Sequence, residues 1–499
     1  MMIEGTLDMI DALQDRTLLI ERMLIGGAWR GALGGGAIDV ADPATGETIG
    51  SVPAGLGADA EAAIVAAEMA LPDWRRRTAG ERADIIERWH GLILANLADL
   101  ARIMTAEQGK PLAEAEGEIR YAASFVKWFA EEGRRTSGYD VAAPTRDRRI
   151  LALREPVGVC AAITPWNFPA AMITRKCAPA LAAGCTVIVK PSELTPFTAL
   201  ALGLLAERAG MPAGVLNIVT GMPQAVGEVL TGSPVVRHLS FTGSTRVGAL
   251  LMRQSADTIK KLALELGGNA PFIVFDDADL ETAVAGAFAA KFRNTGQACV
   301  CANRILVQDG IHDRFVARLG EEIARLRLGR GVDPGVTAGP LINAAATAKV
   351  AAHVDDALAL GASIAAQAEP YGSHERFATP VLLTGATQAM RVSNEETFGP
   401  VAPVFRFRHE AEALEIANAT PFGLASYFYT NDLHRAWRVA EALDFGMVGL
   451  NTGSLAIEMA PFGGIKQSGL GREGGREGLD EYLETKAFHW GGLKLDHHA

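Results

Sequence analysis

The sequence has few cysteines, few aromatic residues and no excess of positive charge, and each shortage excludes a class of protein. Five cysteines in 499 residues are too few and too scattered for a secreted disulfide scaffold. Lysine and arginine number 47 against 58 acidic residues, a formal net charge of -11, which argues against a binder of nucleic acid or anionic membranes. No apolar run is long enough to span a bilayer. We therefore expect reduced thiols, no nucleic-acid partner and no membrane partner.

The first residues also lack a targeting pattern. Acidic residues occur early, and no basic stretch precedes an apolar stretch as it does in a secretory signal peptide. A cytoplasmic location is therefore the expectation. What the sequence does contain is 49% hydrophobic and 21% charged residues, which is ordinary for a globular protein. A chain of this length exceeds one hydrophobic core, which predicts two or three domains.

Strand and helix patterns alternate from about Arg154 onward. Continuous apolar strands such as GVCAAIT, CTVIVK and VRHLSFTG are separated by helical segments, a pattern typical of a parallel sheet with helices on both faces. This predicts a doubly wound dinucleotide-binding domain with its ligands at the carboxyl ends of the strands. The helical segment before it, residues 59–133, is interpreted as a support region without chemistry.

Three short segments carry residues suited to nucleophilic chemistry. In NTGQACVCANR, Gly296 frees the backbone just before Cys299, as a nucleophile on a tight loop requires. In LELGG the carboxylate of Glu265 precedes two glycines, and ITPWNFP places the amide of Asn167 on a loop that leaves a strand. A lone cysteine is more often buried and inert, so the combination is what favours a catalytic site.

Together these segments resemble the signature of the aldehyde dehydrogenase superfamily, and the resemblance extends over nearly the whole chain. Further matches are VKPSE, FTGSTRVG, EETFGP and PFGGIKQSGLGRE. The resemblance implies an NAD(P)-dependent aldehyde dehydrogenase, active as a homodimer or homotetramer. It also implies that Cys299 is the nucleophile, Glu265 the general base, Asn167 an oxyanion donor and Lys176 part of the proton-relay or positioning set.

These roles fit the chemistry of aldehyde oxidation. A thiolate that adds to an aldehyde gives a thiohemiacetal, which can lose hydride to nicotinamide and leave a thioester for hydrolysis. An amide such as Asn167, with the backbone N–H of Cys299, can stabilise the oxyanion by about 3 kcal/mol per donor. Glu265 would draw a proton from the thiol or from water, a role for which a carboxylate with a raised pKa is suitable.

The predicted cofactor site uses residues at strand ends. Gly243 and Gly248 permit close backbone approach, and Ser244 opens a helix whose N-terminal amides can receive a phosphate oxygen. By resemblance Lys190 and Glu193 meet the adenosine ribose, where a carboxylate repels a 2′-phosphate, so NAD is favoured and NADP is possible. The predicted cofactor-binding residues are Thr164, Pro165, Trp166, Lys190, Ser192, Glu193, Gly243, Ser244, Gly248, Leu266, Glu396 and Phe398.

Within that superfamily the likeness is closest to the succinate-semialdehyde dehydrogenase branch, through stretches such as NFPAAMITRK and KFRNTGQACVCANR. Arg175 and Arg293 match the positions that hold the substrate carboxylate in that branch, and guanidinium groups suit bidentate recognition of such a group. The branch carries a serine where this chain has Ala456; Ser454 lies nearby but offset, and is a further substrate-binding candidate.

The predicted reaction is therefore the oxidation of succinate semialdehyde to succinate. A different residue at position 456 leaves 2-oxoglutarate semialdehyde and glutarate semialdehyde as alternatives, because the far end of the pocket differs. An alternative of another class is a catalytically silent binding or structural protein. The intact Cys299, Glu265 and Asn167 argue against that alternative.

The second cysteine of the CVC sequence, Cys301, suggests regulation. Members of this branch can use such a pair as a disulfide switch that blocks the nucleophile, and plain core packing of Cys301 is the alternative. Two cysteines without further Cys or His spacing do not complete a tetrahedral set, so no metal is expected.

The whole pattern predicts an α/β fold of three parts. These are a doubly wound parallel-sheet dinucleotide-binding domain, a second α/β catalytic domain that begins near Ala270, and a small antiparallel β oligomerisation flap built from RRILALREPVG and EYLETKAFHWGGL. The predicted boundaries are 1–143 and 160–268 for the NAD(P)-binding domain, 269–477 for the catalytic domain, and 144–159 with 478–499 for the flap.

Overall fold

A computed structural model describes residues 10–372 and 375–494 of the chain. The outer ends of the first and last predicted domain segments, residues 1–9 and 495–499, lie outside the described residues. Within the described ranges, no helix combines the length and the apolar content needed to cross a membrane.

The strands, in chain order, are β1 Met23–Ile25, β2 Ala28–Arg30, β3 Ala37–Ala41, β4 Thr48–Pro53, β5 Tyr139–Val141, β6 Arg149–Pro156, β7 Val159–Ile163, β8 Thr186–Lys190, β9 Leu216–Ile218, β10 Val236–Thr242, β11 Lys261–Glu265, β12 Ala270–Val274, β13 Ala302–Gln308, β14 Ser363–Gln367, β15 Val381–Thr384, β16 Val401–Phe407, β17 Phe422–Gly423, β18 Ala425–Tyr429, β19 Met447–Leu450, β20 Ile465–Lys466, β21 Gly469–Leu470 and β22 Leu483–Trp490.

The α-helices are α1 Gly57–Arg76, α2 Ala79–Ala95, α3 Leu97–Gln108, α4 Leu112–Glu132, α5 Ala171–Ala183, α6 Phe197–Arg208, α7 Pro223–Gly232, α8 Thr245–Ser255, α9 Leu280–Phe292, α10 Asp309–Ala324, α11 Ala344–Ala359, α12 Arg391–Asn394, α13 Glu410–Asn418, α14 Leu433–Ala442 and α15 Glu477–Asp480. Side-chain caps begin several of them. Ser244 caps α8 by accepting a hydrogen bond from the N–H of Val247 at 3.4 Å, so this helix starts at the end of β10.

The first large sheet has eight strands in the order β2-β1-β9-β8-β7-β10-β11-β21. Its five central strands, from β9 to β11, are parallel, and the flanking strands β1 and β21 pair antiparallel with β9 and β11. Separate hydrophobic clusters cover its two faces, which explains why a strand such as β8 is buried along its whole length. The predicted doubly wound, parallel-sheet domain is confirmed.

The second large sheet has seven strands in the order β14-β15-β16-β13-β12-β18-β19, of which only β14 runs antiparallel to its neighbour. It too has a hydrophobic cluster on each face. Strand β11 ends at Glu265 and β12 begins at Ala270, so the LELGG segment is the short link between the two sheets. A site at this link draws residues from both layers.

A small antiparallel sheet completes the fold. Strand β22 pairs with β6 along its whole length, from Leu483 opposite Pro156 to Trp490 opposite Arg149, and β5 pairs with the other edge of β6. The predicted α/β fold with a small antiparallel sheet is confirmed. The exact domain boundaries, and the role of this sheet in joining subunits, stay predictions.

Candidate active site

Cys299 lies on a tight loop between α9 and β13. Just before it the backbone passes through three residues with positive φ, Asn294 at 51°, Thr295 at 54° and Gly296 at 76°. A Cβ on Gly296 would lie 2.3 Å from the carbonyl oxygen of Gly399, so only glycine fits there. The loop folds back on itself and presents the half-buried Cys299 between the two lobes.

Two cavities meet at Cys299. The first, which we call the arginine cavity, has a volume of about 120 Å³, and its lining includes Tyr121, Phe168, Met172, Arg175, Arg293, Cys299, Tyr427, Ser454, Ala456 and Phe462. The second, which we call the strand-end cavity, has a volume of about 290 Å³, and its lining includes Pro165, Trp166, Asn167, Thr242, Gly243, Ser244, Leu266, Cys299, Lys349, Glu396 and Phe398. One thiol is therefore reachable by two different molecules, one from each side.

Burial controls the ionisation of this thiol. It raises the pKa of Cys299 to about 12, although the charge of Arg175 acts in the opposite direction. Near neutral pH the sulfur therefore carries its proton, and a base must remove that proton as the sulfur attacks.

The two predicted substrate arginines both line the arginine cavity, but in different settings. The Arg175 side chain is buried; its guanidinium lies over the ring of Phe462 with a separation of 4.0 Å, and its Nη2 is 2.6 Å from Oε2 of Glu473. Its Nε is buried and has no acceptor within the described part of the chain. Arg293 is exposed at the cavity wall, with its guanidinium 5.0 Å from the ring of Phe168.

Glu473 is shared by two adjacent cations. Its carboxylate pairs with both Arg175 and Lys176, the latter also a hydrogen-bond donor to it. Burial alone would raise the pKa of Glu473, but the charges of Lys176 and Arg175 together hold it below its ordinary value. Lys176 lines neither cavity. Its link to Arg175 is the carboxylate of Glu473, with which both cations pair.

Glu265 ends β11 beside this cluster. Burial, reinforced by the charge of Glu473, raises the pKa of Glu265 well above its ordinary value. Its Oε2 is buried without a hydrogen-bond partner in the residues that the structure describes. A carboxyl in this state can accept a proton near neutral pH, which an ordinary exposed glutamate cannot do efficiently. The next residue, Leu266, lines the strand-end cavity.

Asn167 follows β7 and lines the strand-end cavity. Its side-chain amide donates to the backbone carbonyl oxygen of Gln297, two residues before Cys299, at 3.0 Å. An amide nitrogen carries two hydrogens, so this bond fixes the group and leaves the second hydrogen for another acceptor.

The predicted cofactor residues divide into two groups. The strand-end cavity brings together Pro165, Trp166, Gly243, Ser244, Leu266, Glu396 and Phe398. The others are not part of its lining. Thr164 donates its N–H to the carbonyl of Lys190 at 3.1 Å, and Lys190 pairs with Glu193 at 3.0 Å. Ser192 and Gly248 also lie outside the cavity lining, after β8 and on α8.

Two features shape the wall of the strand-end cavity. Phe398 has a φ of 55°, and its ring meets that of Trp166 edge to face at 5.6 Å. Glu396 accepts the N–H of Gly268 at 3.1 Å, and burial raises its pKa to about 7. A buried carboxylate at a cavity wall is suited to accept hydrogen bonds from hydroxyl groups of a ligand.

The remaining predicted residues are Ser454 and Cys301. Ser454 lines the arginine cavity together with Ala456. Cys301 is buried, its thiol donates to the carbonyl of Lys291 at 3.3 Å, and it lines neither cavity. Its role as a redox switch stays a prediction. Among the described residues, no group of three or more His, Cys, Asp or Glu is arranged to hold a metal.

Sequence reasoning missed several residues of the site. The interpretation of residues 59–133 as a support region was wrong, because Tyr121 on α4 lines the arginine cavity. No local signal marks Tyr121, since its helix packs like any amphipathic helix. Glu473 lies in a segment that matches the family motif, PFGGIKQSGLGRE, but a glutamate there has no partner until the chain folds.

Comparison with known proteins agrees with this geometry. Residues 29–488 match the model of the aldehyde dehydrogenase family. This chain belongs to the aldehyde dehydrogenase family. It is an NAD(P)-dependent oxidoreductase that acts on aldehydes, so the alternative of a catalytically silent protein is set aside.

Its curated relatives carry different substrate names at similar identity. The chain is 57% identical over 475 residues to succinate-semialdehyde dehydrogenase [NADP(+)] of Escherichia coli, which covers 95% of this chain and 98% of the relative. It is 56% identical to 3-sulfolactaldehyde dehydrogenase of Pseudomonas putida, covering 96% and 99%. It is 55% identical to glutarate-semialdehyde dehydrogenase of Pseudomonas aeruginosa, covering 96% and 100%.

Solved structures confirm the fold. The crystal structure of succinate-semialdehyde dehydrogenase from Burkholderia pseudomallei has a TM-score of 0.95 at 56% identity, covering 96% of this chain and 100% of that one. Betaine aldehyde dehydrogenase from Staphylococcus aureus, in complex with NAD+, has a TM-score of 0.93 at 35% identity and 99% coverage of both chains. Both are similar over the whole of the arrangement described above.

The residues of the strand-end cavity fit a nicotinamide dinucleotide. A Cβ on Gly248 would lie 2.4 Å from Leu266, so glycine lets α8 approach the end of β11 closely, with the helix N-terminus and Ser244 facing the cavity. The buried hydroxyl of Thr242 has no partner among the described residues. Enzymes of this family use NAD(P), which supplies the hydride acceptor when it is bound.

Proposed function

We propose that this aldehyde dehydrogenase oxidises succinate semialdehyde to succinate. The observation that carries the proposal is the pair of guanidinium groups, Arg175 and Arg293, in the cavity that borders the Cys299 thiol. A substrate with an aldehyde at one end can approach the thiol while a carboxylate at its other end meets the arginines. The small volume of this cavity, about 120 Å³, favours a short substrate.

The condition of Arg175 supports this assignment. Glu473 already neutralises much of its charge, but the buried Nε has no acceptor in the described residues. A buried donor without a partner costs free energy that a bound carboxylate oxygen would recover. Arg293 is exposed at the cavity wall, with its guanidinium 5.0 Å from the ring of Phe168, and in this proposal it turns toward the same carboxylate.

In this proposal Cys299 attacks the aldehyde carbon and forms a thiohemiacetal. Glu265 removes the thiol proton, a role that its unpartnered oxygen and its raised pKa support. Bound NAD(P) would accept the hydride of the thiohemiacetal, which leaves a thioester. Once Glu265 has released the thiol proton to solvent, a water molecule attacks the acyl carbon and gives a proton to the same carboxylate. The carbon–sulfur bond then breaks, and the acid is released as the thiol is restored.

Asn167 is the proposed oxyanion donor in both steps. Its free amide hydrogen and the backbone N–H of Cys299 would stabilise the negative oxygen of each tetrahedral adduct. Lys176 is proposed to act as a positioning residue through Glu473, because it pairs with that carboxylate, whose charge helps to raise the pKa of Glu265.

The strand-end cavity is proposed as the nicotinamide end of the cofactor site. Glu396 would accept hydrogen bonds from ribose hydroxyls, and Trp166 and Phe398 would bound the ring. Lys190 and Glu193 would meet the adenosine ribose at the outer end, where the Glu193 carboxylate favours NAD over NADP. The name of the Escherichia coli relative, which specifies NADP, makes this preference a point to measure.

A second candidate substrate is glutarate semialdehyde. Ala456 lines the arginine cavity, and its methyl group leaves space that a larger polar side chain would fill. One relative at 55% identity is named for this substrate, and another at 56% is named for a sulfonated aldehyde. The three substrates for which these relatives are named, succinate semialdehyde, glutarate semialdehyde and 3-sulfolactaldehyde, are all short aldehydes with an anionic group at the other end.

A substrate panel tests the proposal. The purified protein is assayed by the absorbance of reduced nicotinamide with succinate, glutarate and 2-oxoglutarate semialdehydes, 3-sulfolactaldehyde and propanal, each with NAD and NADP. We expect succinate semialdehyde to have the highest kcat/KM, with propanal lower by roughly 10- to 100-fold, since one charge-assisted hydrogen bond contributes about 1.5 to 3 kcal/mol. Equal kcat/KM for propanal would contradict the role of the arginines.

Arginine variants assign the effect to the cavity. Arg293→Ala is expected to raise the KM for succinate semialdehyde by roughly 10- to 100-fold and to leave propanal unchanged. Arg325→Ala is the matched control, because Arg325 is an exposed arginine paired with Glu322 that does not line the arginine cavity. A similar change in both variants would point to general electrostatic steering instead.

We further propose that the small antiparallel sheet joins subunits, with the domain boundaries given above. Exposed apolar side chains lie on both faces of this sheet. Leu151, Leu153, Phe488 and Trp490 share one face by the strand register, and Tyr139 and Val141 lie on the other. Exposed apolar side chains grouped on one small sheet are typical of an interface that another chain covers.

A further inference from the structure

A ring of hydrogen bonds joins the loop that carries Asn167 to the loop that carries Cys299. The side-chain amide of Asn167 donates to the carbonyl oxygen of Gln297 at 3.0 Å. The side-chain amide of Asn294 donates to the same oxygen at 3.2 Å and to the carbonyl oxygen of Asn167 at 3.1 Å. Asn294 therefore contacts both the backbone of Asn167 and the acceptor that orients its amide.

Asn294 is itself held by the helices behind it. Its Oδ1 accepts a hydrogen bond from Nε2 of Gln108 at 3.1 Å, and its backbone N–H donates to Glu114 at 2.8 Å. The residue is buried, and its φ of 51° is a conformation that asparagine tolerates better than most residues. The side-chain amide of Asn294 has one favourable orientation. Exchanging its oxygen and nitrogen by a 180° rotation would place its N–H groups against the amide donor of Gln108 and its oxygen against two carbonyl oxygens.

A second donor, Lys110, reaches the same backbone carbonyl. Its Nζ donates to the oxygen of Asn167 at 2.8 Å and forms a buried ion pair with Glu118. Glu118 also accepts the N–H groups of Ala170 and Ala171 at 3.0 and 3.3 Å, and so fixes the start of α5. The loop between β7 and α5 is thus held from two sides.

We propose that Asn294 is a positioning residue, which aims the Asn167 amide at the oxyanion of the Cys299 adducts, with Lys110 as a second support. The inference rests on the proposed role of Asn167 as the oxyanion donor. Asn294 and Lys110 line neither cavity, so their effect on the reaction passes through the loops that they hold. Displacement of the Asn167 amide should lower the rate of the chemical steps and leave the binding of the aldehyde and of NAD unchanged.

The first test is Asn294→Gly, which keeps the positive φ accessible and removes the amide. We expect kcat to fall by on the order of 100-fold, as for an oxyanion donor that is displaced, with the KM values for aldehyde and NAD within about twofold. Asn451→Gly is the matched control, because Asn451 also has a positive φ, 54°, and its amide bridges to Thr430 outside this network. Its kcat is expected to stay unchanged.

A double-mutant cycle with Asn167→Ala separates this inference from the function on which it rests. If Asn167→Ala leaves kcat unchanged, the oxyanion role of Asn167 is wrong. If Asn167→Ala lowers kcat, adding Asn294→Gly is expected to lower it by less than about threefold more, because both changes remove the same interaction. A full 100-fold further loss, or no loss from Asn294→Gly alone, would overturn the positioning role.

A second variant covers the case in which Asn294→Gly does not fold. Lys110→Met combined with Glu118→Gln removes the other donor to the Asn167 carbonyl without leaving a buried charge unpaired. We expect kcat to fall about tenfold with unchanged KM values, since one of two supports remains. A folded double variant with native kcat would overturn the proposal.

Discussion

The two cavities that meet at Cys299 are built in different ways. The strand-end cavity takes much of its lining from three continuous segments that follow β7, β10 and β11, at the carboxyl edge of a parallel sheet. The arginine cavity takes its lining from α4, α5, α9, β18, the Cys299 loop and the loop around Ser454, elements that lie far apart along the chain. The first follows from sheet topology, whereas the second is a meeting of distant side chains. We therefore expect the chemistry to be robust and the substrate preference to be easily changed.

The largest expected effect belongs to Glu265, the proposed base for both proton-transfer steps at Cys299, the residue at which the two cavities meet. Glu265→Gln keeps the shape of the side chain and removes the base, so kcat should fall by roughly 100- to 10,000-fold. Burial, with the charge of Glu473, raises the pKa of this carboxyl, so the native rate should increase with pH as the carboxyl ionises. In the variant the increase should move to higher pH, toward the pKa of about 12 of the Cys299 thiol.

Rate profiles from acid to alkaline pH on one substrate measure this effect. Glu481→Gln is a suitable control, because burial also raises the pKa of Glu481 and that residue has no part in the proposed mechanism. If the rate of Glu265→Gln increased with pH over the same range as the native rate, the base would be another group.

A smaller effect is expected at the outer end of the strand-end cavity. Glu193→Gln removes the charge that pairs with Lys190 at 3.0 Å and frees this lysine for a 2′-phosphate. The ratio of kcat/KM with NADP to that with NAD should rise about tenfold, in line with one charge-assisted hydrogen bond. The KM for the aldehyde should not change. A change in the aldehyde KM would show that the two cavities are not independent.

The smallest effect is expected in the arginine cavity. Ala456→Ser adds one hydroxyl that can bond to a substrate carboxylate, a gain of about 1 kcal/mol. The ratio of kcat/KM for succinate semialdehyde to that for glutarate semialdehyde should rise roughly two- to tenfold. Steady-state kinetics on the two substrates measure this ratio. An equal change in kcat/KM for both would mean that position 456 does not discriminate between substrates of different chain length.

The sequence predicted the parallel sheets because strands buried on both faces are continuously apolar and alternate with helices. It also predicted Cys299, Glu265 and Asn167 through glycine-bearing loops at strand ends, and the structure brings these loops to one place. It could not predict Tyr121, whose helix gives no sign of facing a cavity. Nor could it predict that Arg175 forms an ion pair with Glu473, a residue almost 300 positions away along the chain.

The sequence by itself determined the family and the order of strands and helices, and it predicted Cys299, Glu265 and Asn167 as the reacting residues, because each of these depends on a short local pattern. The tertiary structure alone decided what surrounds those residues. It sets the raised pKa values of Cys299 and Glu265, the pairing of Arg175, and the support of Asn167 by Asn294. Burial and hydrogen bonding act through space, and only the folded chain brings such distant groups within a few ångströms of each other.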